Sequence, residues 1–214
     1  MFHRLSRRAL LLAGAATAAL GGLGQRAKAL VRPRTPALTP GPFYPPEAQR
    51  FADQDWDLVK IEGQVRRAGG EILHLTGRVV DTGGQPVAGA TVEIWQCDAN
   101  GRYLHSWDRG RHAPRDSHFQ GYGVAMSDAA GHYRFRTIKP VSYPGRTPQI
   151  PPRLTPPTGS NLEALTTQLF IQDHPDNRRD GLFRRLDHRE QRASAMDLAR
   201  RPDGDWDTQF DFVL

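Results

Sequence analysis

Few side chains in this 214-residue chain could do chemistry, and most stand alone. Its one cysteine, Cys97, can close no intrachain disulfide and reads most simply as a small apolar filler. Its eight histidines leave a gap, with none between Tyr133 and Asp173. Inside that gap lies a proline-rich stretch, residues 137–154 (TIKPVSYPGRTPQIPPRL), holding Tyr143, Arg146 and Gln149. Tyr103 lies upstream of it and Gln168 downstream. A phenol can pack, hydrogen-bond or bind a hard cation, and a guanidinium is a permanently charged donor fork. By residue type alone the bland assignments come first. Tyr103 and Tyr143 read as packing tyrosines, Arg146 as a solvated loop arginine, Gln168 as a strand residue and Trp95 as core.

The elements that would position these groups are strands. Short apolar runs among 21 Gly and 17 Pro favour a turn-rich β protein over a helical one. Strand patterns run over residues 72–81, 90–97, 131–138, 165–172 and 206–214. Gly83-Gly84-Gln85-Pro86 is turn chemistry. Residues 187–200 alone have helical composition. The fold class expected is all-β, an antiparallel β-sandwich spanning 57–214, preceded by an extended Pro-rich N-terminal arm, residues 30–56. The arm contains GPFYP (residues 41–45), two aromatics held between prolines that could dock on an apolar surface.

The formal charge of +6 misleads about the domain. Arg4, Arg7, Arg8, Arg26 and Lys28 fall in residues 1–29, which hold no acid, so the rest of the chain is near neutral. A nucleic-acid binder keeps its basic surplus in the folded domain, so nucleic acid is not an expected partner. Paired Arg7–Arg8, the small apolar run to Leu23 and Ala27-Lys28-Ala29 resemble a twin-arginine signal peptide cleaved before Leu30. The run is too short and Gly-rich for a stable membrane anchor after cleavage. The expected location is exported, periplasmic or extracellular.

Several motifs line up together. GRVVDTGGQPVAGATVEIWQCDANGRY (77–103), FQGYGVAMSDAAGHYRFRTIKPVSYPGR (119–146), TQLF (167–170) and GPFYP share the order and spacing of one family. The chain resembles the intradiol ring-cleavage dioxygenases, of the protocatechuate and catechol dioxygenase type, over roughly residues 39–214. The resemblance implies a β-sandwich holding one non-haem Fe(III), with two Tyr and two His ligands. The implied reaction is O2-dependent cleavage of a catechol-type aromatic diol to a muconate-type diacid, and the implied assembly is a homo-oligomer. Hard phenolate oxygens suit Fe(III). Carried over by position, Tyr103 matches the Tyr that stays on the metal and Tyr143 the Tyr that leaves when substrate binds. Arg146 matches the Arg that stabilises charge on the substrate, and Gln168 a polar residue lining the pocket.

The chain departs from the family where the imidazoles belong. Gln149 stands at the first His position and Pro151 at the second. An i, i+2 pair on a strand shares one face, so both ligands would be lost from the side facing the metal. Pro151-Pro152 also removes two backbone donors, which should alter the local pairing. His105 and His118 are the histidines that loops could bring to the site. Two phenolates alone leave the ion easily lost. Three readings stand: a ferric intradiol dioxygenase, a non-catalytic exported β-sandwich binding protein of that descent, and a transthyretin-like wall or carbohydrate module. GRVVD…GATVEIW fits the third, but TIKPVSYPGR and TQLF do not.

Overall fold

The long alternating run ILHLTGRVV forms the spine of the molecule. In a computed structural model, which describes residues 31–108 and 113–214, it is strand β1 (Ile72–Val80). The twin-arginine segment, His3 and His112 lie outside the described residues. After β1 come β2 (Thr91–Trp95), β3 (Tyr122–Met126), β4 (His132–Ile138), β5 (Gln149–Ile150), β6 (Pro152–Thr155), β7 (Leu165–Thr166) and β8 (Leu169–Ile171). A single α-helix among the described residues, α1 (His188–Ala193), precedes β9 (Ala195–Met196), β10 (Ala199–Arg200), β11 (Trp206–Gln209) and β12 (Phe212–Val213).

On one side β1 pairs antiparallel with β4, from Ile72↔Ile138 to Arg78↔His132. On the other side it pairs with β11 and then β12, both parallel, and β10 borders β11. The second sheet has the order β3-β2-β6-β7, and a small third sheet the order β5-β8-β9. Leu73, Leu75, Val79 and Phe135 from the first sheet meet Val92, Ile94 and Leu154 from the second in one buried core. Each such side chain stabilises the fold by about 1.5–3 kcal/mol through removal from water. The expected β-sandwich is present; most pairings are antiparallel, while β8–β9 joins the two β1 pairings as parallel.

Two breaks in the strands shape the site. At Pro151 the chain leaves the third sheet for the second, splitting one extended segment into β5 and β6. Pro151 offers no N–H, but its carbonyl accepts from Trp95 N at 3.1 Å, and Pro152 opens β6, a position a strand tolerates. The expected strand 165–172 breaks at Thr167-Gln168, where Thr167 N–H turns to the Pro152 carbonyl. The run 206–214 breaks at Phe210, whose carbonyl would lie 1.8 Å from any Cβ at Gly77 and accepts the Tyr133 hydroxyl at 2.7 Å. Residues 187–200 give only six helical residues, started by an Asp187/Glu190 capping box, and then two strands.

The arm lies along the sandwich in extended form. Thr35 N–H donates to Val213 O, Thr35 Oγ1 accepts from Val213 N, and Leu38 N–H donates to Thr166 O. Tyr44 donates to Glu93 at 2.7 Å beside Tyr122, which bonds the same oxygen. Further on, Gln54 O accepts from Val124 N and Trp56 O from Arg136 N, so this segment bridges the edges of β3 and β4.

Candidate functional site

Tyr143-Pro144-Gly145-Arg146 is a tight turn. Pro at its second position and Gly145 at φ +79° at its third are the signature of type II, and Arg146 N–H donates to Tyr143 O at 2.9 Å. The turn sets the phenol and the guanidinium side by side, with Arg146 Nη1 donating to the Tyr143 hydroxyl at 3.1 Å. Tyr103 enters from the loop after β2. The Asp98 carboxylate folds that loop by accepting the Asn100 and Arg102 N–H groups, and Asp108 accepts Tyr103 N–H at 2.6 Å. The Tyr103 and Tyr143 rings meet edge to face at 5.2 Å, and Phe43 of the arm stacks on Tyr103 at 4.9 Å.

Gln149 on β5 and Gln168 just before β8 arrive together because those strands pair. Arg146 Nη2 donates to both amide oxygens, each at 2.6 Å. Gln149 Nε2 donates to the Tyr143 hydroxyl at 3.3 Å, and Gln168 Nε2 to Thr39 O of the arm at 2.8 Å. Behind Arg146, Asp180 accepts its Nε–H at 2.7 Å and is completely buried. The other Asp180 oxygen accepts the N–H groups of Leu182 and Phe183 at 2.9 Å. Sequence reasoning missed Asp180. Its one signal, a carboxylate flanked by turn residues, does not name a partner 34 positions away.

Burial decides the charge state. It pushes the Tyr103 phenol well above its ordinary value, with the neighbouring Cys97 and Tyr143 adding to the effect. Burial also raises Tyr143, although the Arg146 charge and hydrogen bond oppose it. Burial works against the Asp180 carboxylate too, but the Phe183 N–H, Arg146 and the Thr147 N–H outweigh it and hold the carboxyl below its usual range. Arg146 and Asp180 therefore form the fixed ion pair at neutral pH, and both phenols keep their protons.

The side chains carried over from the family all line one inner cavity, together with Trp95, Phe43 and Pro151. Its volume, about 10 Å³, is barely the room one water needs. A cleft of about 420 Å³ opens beside it, lined by Pro42, Phe43, Arg102, Tyr143, Pro144 and Arg146 among others. Among the described residues no histidine lines the inner cavity. His105 lies edge-on to Phe43 at 6.0 Å and accepts Trp107 N–H, while His118 bonds Gln64 at 2.6 Å, and neither lines the cavity.

These donors do not fit the ferric ion that the resemblance implies. The amide oxygens of Gln149 and Gln168 are already held by a guanidinium, and Pro151 has no side-chain donor atom. Among the described residues no three His, Cys, Asp or Glu side chains gather at one point. Chemically the arrangement is a closed hydrogen-bond network with an internal cation at its centre.

A dioxygenase family model matches residues 40–154. The chain is 46% identical over 97 residues to the protocatechuate 3,4-dioxygenase beta chain of Burkholderia cepacia, covering 45% of this chain and 41% of that one. It is 34% identical over 163 residues to the 6-chlorohydroxyquinol 1,2-dioxygenase of Cupriavidus pinatubonensis, covering 69% and 55%. The chain thus spans about half the length of the curated relatives it matches. Among solved structures, the dioxygenase domain of a dioxygenase–carbohydrate-binding fusion from Streptomyces sp. SirexAA-E aligns with a TM-score of 0.62 at 27% identity, covering 85% of this chain and 98% of that one.

Proposed function

The chain belongs to the intradiol ring-cleavage dioxygenase family, and from that premise we propose that it is a non-catalytic member, an exported protein that binds a small aromatic ligand without iron. The observation that carries this reading is the bond from Arg146 Nη2 to Gln149 Oε1 at 2.6 Å. At the position the family resemblance gives to an imidazole, this chain has an amide whose oxygen already accepts a guanidinium N–H. Pro151, at the other imidazole position, supplies only a ring wall. The cleft of about 420 Å³ has room for a single aromatic ring, with Phe43 and the prolines 42 and 144 as apolar walls and Tyr143 and Arg146 as polar floor.

A second reading is favoured by one fact: Tyr103, Tyr143, Arg146 and Gln168 line the same inner cavity. On that reading the chain cleaves a catechol-type diol with O2 and Fe(III) to a muconate-type diacid. One preparation separates the two. The purified mature protein is loaded with ferric iron, and iron content, visible absorption and catechol-dependent O2 uptake are recorded. The expected protein is colourless, retains no stoichiometric iron and consumes no O2, yet its tyrosine and tryptophan fluorescence responds to catechol. Tight stoichiometric iron with tyrosinate colour and O2 uptake would overturn the proposal. The double variant Gln149→His, Pro151→His should gain iron affinity and colour; if it binds iron no better, the two ligand positions are wrongly assigned.

A further inference from the structure

Away from the aromatic cleft, the segment between β8 and β9 forms a concave surface of about 530 Å³. It is lined by Asp173, His174, Arg178, His188, Gln191 and Arg192, with Phe183 beside them. The segment carries Arg178, Arg179, Arg184, Arg185, Arg189 and Arg192. All of its acids but Asp173 are occupied by the fold. Asp180 is buried against Arg146, Asp187 and Glu190 form the capping box of α1, and Asp176 accepts the Ser142 hydroxyl beside His174. The guanidiniums of Arg178 and Arg192 make no hydrogen bond, ion pair or ring contact among the described residues.

Two guanidiniums facing one concavity are the ordinary means of gripping an oxyanion, because each presents parallel donors to two oxygens. The lining also contains one carboxylate without a partner, Asp173, and an amide, Gln191, whose Nε2 is committed to the Phe183 and Leu186 carbonyls. That leaves the Asp173 carboxylate and the Gln191 amide oxygen as acceptors beside the cations. Asp173 is the one non-glycine residue among the described residues with positive φ, +55°. Strain of that kind persists where the surroundings impose it, and it gathers at ligand sites. Acceptors next to cations suit a ligand that carries hydroxyls next to its anionic group.

We propose that this cleft binds a phosphorylated polyol, its phosphate on Arg178 and Arg192 and its hydroxyls on Asp173 and Gln191. The volume exceeds that of a bare phosphate and suits an ester of a short polyol or sugar. The same chemistry occurs free in solution and as a lipid headgroup. The site is separate from the aromatic cleft, although both share the segment 173–183: Asn177 and Asp180 face Thr147 and Arg146, while Arg178 faces the concavity.

The test uses the whole mature protein. Glycerol 3-phosphate is titrated calorimetrically, and vesicles of phosphatidylglycerol in phosphatidylcholine are sedimented with the protein in parallel. Arg178→Ala with Arg192→Ala should weaken glycerol 3-phosphate binding about tenfold or more, through loss of charge-assisted bonds. Arg184→Ala with Arg189→Ala removes the same charge from outside the lining and should change it less than twofold. Ester binding without vesicle binding assigns the free ester; cleft-dependent binding of both assigns the headgroup. No binding of either, or equal losses in the two double variants, overturns the proposal. Neither result touches the aromatic-ligand reading, because Arg178 and Arg192 line neither the inner cavity nor its mouth.

Discussion

Arg146 is the side chain on which the candidate site depends, and Asp180 is what makes it possible. A mostly buried guanidinium without its carboxylate would leave a poorly solvated, unpaired charge. Asp180→Asn keeps the shape and most of the backbone bonds but removes that charge. It should cost about 3 kcal/mol of stability, read from urea denaturation. A cost below about 1 kcal/mol would mean that the pair behaves as an ordinary surface ion pair. The residues carried over from the family were legible by position: Tyr103, Tyr143, Arg146 and Gln168 do converge on one cavity. The amide bonds that tie Gln149 and Gln168 to Arg146 were not legible, because hydrogen-bond partners three and 22 residues apart are chosen by strand pairing and not by residue type.

Among the elements, the strands with strict alternation were readable and those without it were not. β1, β2 and β4 follow their sequence patterns within a residue or two. β3 (Tyr122–Met126) has no alternating run to announce it, and it forms because β2 supplies an edge over five pairs, Thr91↔Met126 to Trp95↔Tyr122. The proline pair was readable in effect, since a chain that cannot donate at 151 must break or shift there, and it does. Two glycines test the geometry. Gly145→Ala puts a Cβ at φ +79° with nothing within 4 Å, so only backbone strain acts and the cost should be about 1 kcal/mol. Gly77→Ala drives a Cβ into the Phe210 carbonyl at 1.8 Å. It should cost at least about 2 kcal/mol or prevent folding, because backbone on both sides must move. Equal midpoints in urea for the two variants would contradict this order.

The whole molecule should respond to alkali. Burial pushes the Cys97 thiol from 9.0 up to about 12 and holds the phenols of Tyr103 and Tyr133 well above 10.0. Each of these groups keeps its proton more tightly folded than unfolded. Their contribution is therefore complete below the unfolded values and is lost as pH rises past about 9 for the thiol and about 10 for the phenols. The melting temperature should be level from pH 7 to about pH 9 and fall steadily beyond, as measured by calorimetry. A level melting temperature up to pH 11 would show that these groups titrate alike in both states.

The sequence by itself determined what local pattern and motif order can carry. Those are the β class, the extended arm and the family to which the chain belongs. The tertiary structure alone decided which of those side chains touch. It put Asp180 behind Arg146, turned both glutamine oxygens to the guanidinium, seated Phe43 on Tyr103 and left Arg178 and Arg192 without partners among the described residues. The physical reason is one of range. Alternation and turn chemistry act over a few residues and are written in them, whereas a buried charge finds its partner only after the sheets have closed.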